Sequence, residues 1–192
     1  MSSVPDIVTA HLIEAIGTPP QKASVTFLGV EPIDVLRFAD GGDVVFATVG
    51  CARHPMHDPS DPAPDPVRGP RAELVVRLTP AVALAGLHKS LATVAAAPAV
   101  EGLILGEDSL IDLQEPLWGG AVCSALLLSA DSGVEDLPLD PPSDPVRFLR
   151  AVPITANEAA WVRLKGAAAL REAWAEAAVD VTDPTRGGVT PT

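Results

Sequence analysis

Apolar residues recur along this chain at two spacings, one helical and one strand-like. In residues 5–16, Val8, Leu12 and Ile16 stand four apart, and Gly17 with Pro19 and Pro20 follows. That spacing predicts an N-terminal helix with a glycine stop. Residues 24–30 (SVTFLGV) and 33–38 (IDVLRF) are strand-like and parted by Glu31-Pro32; ADGGD at 39–43 is a turn, and 44–50 (VVFATVG) is the next strand. Together they predict an antiparallel meander. Residues 51–70 carry prolines at 55, 59, 62, 64, 66 and 70. Proline has no backbone donor, so this stretch reads as loop.

Residues 72–78 (AELVVRL) resume as a strand, with Glu73, Val75 and Arg77 on one face and Leu74, Val76 and Leu78 on the other. A helix is predicted over 82–97 from Leu84, Leu87, His88, Leu91 and Val94, ended by Pro98. Residues 121–130 are apolar enough for a buried strand, 131–145 form an acidic, proline-rich loop, and 146–154 alternate as a further strand. Thr155-Ala-Asn-Glu158 is a capping box: the threonine hydroxyl accepts from the Glu158 amide, and the carboxylate reaches back. Trp161 and Leu164 then share a face, Gly166 breaks the helix, and Leu170, Trp174 and Ala177 mark a second one. The closing DPTRGGVTPT is expected to fray. Strands cluster early and do not alternate one by one with helices, so the order reads as mixed α+β and not as a doubly wound sheet. One domain is expected over 1–186, with a flexible tail at 187–192.

Composition narrows the partners. Aromatic residues are 4% of the chain and tyrosine is absent, which argues against a base-stacking surface. The formal charge of -12 repels nucleic acid and anionic membranes, so the expected charged partner is a basic protein. Two cysteines, Cys51 and Cys123, are too few for a disulfide scaffold and fit a reducing cytoplasm. No apolar run is long enough for a membrane span, and the first residues lack the pattern of a signal peptide.

The sharpest chemical candidate is GCARHPMHDP, where Cys51, His54 and His57 follow a strand. A cysteine nucleophile needs a base to form thiolate and a third group to orient that base. Zinc needs four convergent ligands, and C-x2-H-x2-H offers three at compressed spacing, with Asp58 adjacent as a poor fourth. A thiol- or metal-dependent hydrolase centred on Cys51 and His54 is therefore the alternative reading. Cys123 reads as a small buried hydrophobe, His88 as a half-buried helix residue and His11 as an exposed or half-buried one. The glycines show no phosphate-binding pattern, and neither Ser124 nor Ser129 lies in a nucleophile elbow. No catalytic set, metal or cofactor is expected. The candidate binding residues are Cys51, Arg53 and His54 as the rim of one surface. Asp131, Glu135, Asp136, Asp140 and Asp144 are the candidates for a patch that docks a cationic partner.

Several segments, taken in order, resemble the Suppressor of Fused-like domain family. VVFATVGCARHPM resembles its strand and loop signature, a T-x-G followed by P-M, and RAELVVRLTP resembles its following EL strand. PLWGGAVCSALLLSA is similar to the family's turn into an apolar strand. VRFLRAVPITANEAAWVRLKGAAALREAW resembles its F-L-x-x-x-P-I-T-x-x-E junction with the two helices after it, and DPTR fits the closing pattern. The resemblance spans residues 24–186. It implies a central, mostly antiparallel or mixed sheet flanked by helices, and a protein-binding role without catalysis. The eukaryotic relative sequesters a zinc-finger transcription factor by gripping an extended peptide. Stand-alone bacterial relatives, whose length this chain matches, are proposed as immunity proteins that neutralise toxins.

Overall fold

The four-residue apolar spacing at the start of the chain folds as helix α1 (Val4–Ile16). Ser3 and Asp6 form a reciprocal capping box at its start, and Gly17 closes it in the left-handed conformation. The computed structural model describes residues 2–189. The strands are β1 (Gln21–Phe27), β2 (Val30–Asp40), β3 (Asp43–Val49), β4 (Arg71–Leu78), β5 (Leu110–Asp112), β6 (Cys123–Ser129) and β7 (Val146–Thr155). The remaining helices are α2 (Leu87–Glu101), α3 (Ala156–Lys165) and α4 (Ala167–Glu176), and a short 3-10 turn covers Cys51–Arg53.

One seven-stranded sheet runs in the order β1–β2–β3–β4–β7–β6–β5. The first four strands form the expected antiparallel meander, and the β4–β7 pairing is parallel, so the sheet is mixed. On one face α2 sets Leu87, Leu91 and Val94 against Ile33, Val35, Phe46 and Leu74. On the other, Val8 and Leu12 of α1 meet Leu36, Phe38, Val45 and Phe148. Helices α3 and α4 cover Ala125, Leu127, Val152 and Ile154. Because side chains alternate along β7, Phe148, Val152 and Ile154 share a face, which places α1, α3 and α4 together opposite α2. Complete burial of Leu12 or Phe38 contributes roughly 1.5–3 kcal/mol each.

Three local readings change. The first hairpin turns at residues 28–29, and Glu31-Pro32 lies inside β2. Pro32 is tolerated there because β3 pairs with β2 only from Asp34 onward, and the β1 register shifts beside it. Helix α2 starts at Leu87, later than expected, and continues past Pro98 to a left-handed Gly102, whose N–H donates to the Pro98 carbonyl (3.1 Å). A Cβ at Gly102 would run into the Pro59 ring, so the glycine also lets the proline-rich loop rest on the helix end. Strand β4 keeps the expected alternation with both faces covered, Glu73 included. In α3, Leu164 is 72% exposed while Ala159 and Val162 face the sheet, and Ala177 after α4 is also exposed. The short strand β5 carries too few residues to show a period.

The closing segment is tied down as far as it is described. Arg186 is buried, and the Val189 N–H donates to Glu158 Oε1 (3.3 Å). Residues 190–192 of the expected tail lie outside the described residues. No helix among the described residues is long and apolar enough to cross a membrane.

Candidate functional site

The β3–β4 ladder stops at Ala47 and Val75, and beyond that point side chains replace it. The Thr48 hydroxyl donates to Glu73 Oε2 (2.6 Å) and accepts from the Leu74 N–H (2.9 Å). Glu73 Oε1 accepts from the Gly50 and Ala52 N–H groups at 2.7 and 3.0 Å. Two residues earlier on the same face of β4, Arg71 donates to the Ala52 and Arg53 carbonyls at 2.8 and 2.9 Å. The Gly50 and Ala52 donors thus go to a glutamate and the Ala52 and Arg53 acceptors to an arginine, while the Arg53 N–H closes the turn on the Gly50 carbonyl (3.3 Å). A buried irregular backbone must find such partners. Burial pushes the Glu73 carboxyl up to about 7, against the opposing pull of Thr48 and the turn amides.

Held this way, the turn forms one wall of a cleft of about 250 Å³. Val30, Glu31 and Ile33 of β2 form a second wall, and Ala95, Ala96, Pro98 and Ala99 of α2 a third. Of the sequence candidates, Cys51, Arg53, His54 and His57 all reach this cleft. Arg53 donates to the Pro32 carbonyl from both terminal nitrogens at 3.3 and 3.4 Å, and its Nε lies 3.6 Å from Glu31 Oε1. His54 Nε2 lies 2.9 Å from Glu31 Oε2. Arg53 and His54 therefore stand at the rim. Cys51 does not: it is buried in the floor with Met56.

That floor position opposes thiolate chemistry. Burial, reinforced by the nearby Glu73 carboxylate, pushes the Cys51 thiol well above its ordinary value. His54 is turned outward to Glu31, and no hydrogen bond joins it to the sulfur among the described residues. No group of three or more His, Cys, Asp or Glu among the described residues could hold a metal ion. In a Cys123→Ala background, Cys51 is expected to react with a thiol-specific disulfide reagent at least ~100-fold more slowly in the native protein than in urea. Native reactivity faster than that of a free thiol would restore the hydrolase reading.

The acidic loop is a fixed surface. Leu137 is buried with α1, the His11 ring stacks on Phe148, and a His11 ring N–H donates to the Glu135 carbonyl (2.8 Å). Asp131, Glu135, Asp136, Asp140 and Asp144 are all exposed. Asp131 pairs with Arg150 (3.3 Å), and Asp144 accepts from the Gly69 N–H (2.6 Å). Partial burial raises the Asp131 carboxyl, but Ser129 and Arg150 outweigh it and hold it below the usual range. Through Leu137 this loop belongs to the α1 face, and the cleft opens beside α2, so the structure does not bring the two groups of candidates together. A larger groove, about 620 Å³, lies elsewhere, against α3, and none of its lining residues is ionisable.

The model of the Suppressor of fused protein family matches residues 29–187. The chain belongs to that family. Among solved structures it is similar to a Suppressor of fused homologue from Neisseria gonorrhoeae, at 15% identity and a TM-score of 0.72, covering 97% of both chains. It is similar to a chain of the Sufu–Fu complex at 16% identity and a TM-score of 0.64, covering 97% of this chain and 92% of that one. With Drosophila Suppressor of Fused the identity is 16% and the TM-score 0.62 over 95% of this chain, which spans 50% of that protein. No curated relative matches in sequence. The likeness carries the fold: an α+β domain on a mixed sheet.

Some of the Suppressor of fused signature residues are buried hydrogen-bonding partners. Thr48, Gly50 and Glu73 make the first buried knot. Thr155, Glu158 and the arginine of DPTR make a second, in which Arg186 pairs with Glu158 at 2.8 Å beneath Trp174. Gly50 of the first knot lines the cleft, and Thr155 of the second lines the groove against α3. Sequence reasoning missed Glu31, because nothing local links a residue beside Pro32 to Arg53. It also missed the burial of Glu73, because an alternating strand reads the same whether its second face is wet or covered.

Proposed function

We propose that the chain is a non-catalytic protein-binding module that sequesters another protein in the cytoplasm, as an immunity-like or adaptor protein does. The observation that carries this reading is the free edge of the sheet. β1 is a terminal strand of seven residues with a largely exposed burial pattern, so among the described residues one row of its backbone groups has no strand partner. Such an edge accepts an extended segment by adding it as a further strand. One similar chain comes from the Sufu–Fu complex, which supports a protein as the class of partner. Two free, buried cysteines fit a reducing compartment.

The pinned acidic loop favours a basic partner, such as a toxin or effector. Five carboxylates held on one loop speed encounter with a positive surface and do little for the lifetime of the complex. After affinity capture from the native host at low salt, the on-rate of the captured basic protein should fall about tenfold when Asp131, Glu135, Asp136, Asp140 and Asp144 are changed to their amides. The difference should vanish at high salt. An unchanged on-rate removes the acidic loop from this account.

A further inference from the structure

The cleft beside α2 combines an apolar floor with a rim that already holds a carboxylate. Ile33, Cys51, Met56, Ala95 and Ala96 are buried and apolar, and the small alanines give the cleft its depth. At the rim, the Glu31 carboxylate sits between Arg53 and His54. Arg53 is prepositioned, because the Pro32 carbonyl fixes its terminal nitrogens and its Nε faces Glu31. Glu31 is not built in to the same degree. It is more than half exposed and sits near the start of β2, before the β3 pairing begins. Exposed ion pairs of this kind contribute little, so displacing Glu31 costs little.

We propose that this cleft anchors an acidic segment of a protein partner. An apolar side chain fills the floor, and the neighbouring Asp or Glu carboxylate takes the place of Glu31 between Arg53 and His54. Charge complementarity selects this occupant: the chain's own carboxylate shows what the rim binds. At about 250 Å³ the cleft suits one aliphatic side chain and falls below the usual size of a small-molecule site. His57 lines the same cleft and makes no hydrogen bond among the described residues, so its ring is free to meet a ligand. The inference rests on the protein-binding reading and adds a second, opposite selectivity: the acidic loop draws a basic surface, and the cleft takes an acidic anchor.

The test titrates acetyl-Ser-Leu-Glu-Ser-amide and its Gln counterpart into the full chain, followed through the methyl NMR signals of Met56, Ala95 and Ala96. The Glu peptide should shift these signals, and the Gln peptide should bind about fivefold more weakly. Glu31→Gln, which removes the competing carboxylate, should tighten the Glu peptide about threefold. Arg53→Gln should weaken it about fivefold. Ala99→Trp, at an exposed helix position that fills the mouth, should abolish the shifts, and an unperturbed amide spectrum shows that each variant is folded. Equal binding of the two peptides, or weaker binding to Glu31→Gln, overturns the carboxylate seat. 4-Methylpentanoate binding as tightly as the peptide assigns the cleft to free acids instead. No shift from either peptide at millimolar concentration overturns the anchor, while the association measurement with the acidic loop still decides the wider reading.

Discussion

Glu158→Ala is expected to lower the unfolding free energy by about 3–5 kcal/mol. The carboxylate is fully buried and is the common acceptor of the second knot. Arg186 donates to both of its oxygens at 2.8 and 3.1 Å, and the Trp174 indole donates to Oε1 at 2.8 Å. The Thr155 N–H donates to Oε2 at 2.9 Å, which starts α3. Removing the carboxylate leaves the buried Arg186 guanidinium with the Pro153 and Gly187 carbonyls as its remaining partners and no countercharge. Burial raises the Glu158 carboxyl, but Arg186, Thr155 and Trp174 together hold it below its ordinary value. Its stabilisation is therefore present above the unfolded value of 4.5 and is lost as the pH falls through the lower folded value. Urea unfolding at neutral pH measures the cost. Glu158→Leu with Arg186→Met should recover much of it, because the pair is then replaced and not broken. A loss under about 1 kcal/mol for Glu158→Ala would mean that the knot does not hold α3, α4 and the closing segment together.

Glu73 is expected to give stability the opposite dependence on pH. Its carboxyl is raised from 4.5 to about 7 in the folded protein. The native state therefore binds more protons than the unfolded state between those values. The contribution is fully present below 4.5 and is lost as the pH rises through about 7. Between pH 5 and pH 8 wild type should lose about 2 kcal/mol relative to Glu73→Gln, whose amide does not titrate. Comparing the two chains cancels the exposed aspartates, whose lowered carboxyls act with the other sign. The Gln side chain retains an acceptor for the Gly50 and Ala52 amides but meets the Thr48 hydroxyl with a donor group, so a constant offset between the two proteins is expected as well. Parallel pH profiles would show that Glu73 stays ionised throughout, with its hydrogen bonds outweighing its burial.

The cleft and the acidic loop differ in how they could be read from the chain. Arg53 and His54 stand out because two basic residue types follow a strand-ending glycine, and the structure does place both at a rim. Their partner Glu31 is more than twenty positions away on another strand, and pairing of that kind leaves no local trace. The five loop carboxylates are legible as a charge run. That they are fixed depends on His11 and Leu137 finding the α1 face, which no spacing shows. The GCARHPM stretch, which resembles a nucleophile or zinc loop when read alone, is a turn whose backbone is held by Glu73 and Arg71.

By itself the sequence determined the order of the elements other than β5, the mixed α+β class, the helix cap at Thr155 and the family, because caps, turns and apolar periods are short-range and act on neighbouring residues. Only the tertiary structure decided that β4 is covered on both faces and that Glu73 and Glu158 are buried acceptors. It alone placed Cys51 in a floor, and it alone set an arginine, an imidazole and a glutamate around one apolar cleft. These depend on which faces meet when the sheet closes between α2 and the other helices. Burial and charge pairing are properties of that meeting, and no single stretch of chain contains them.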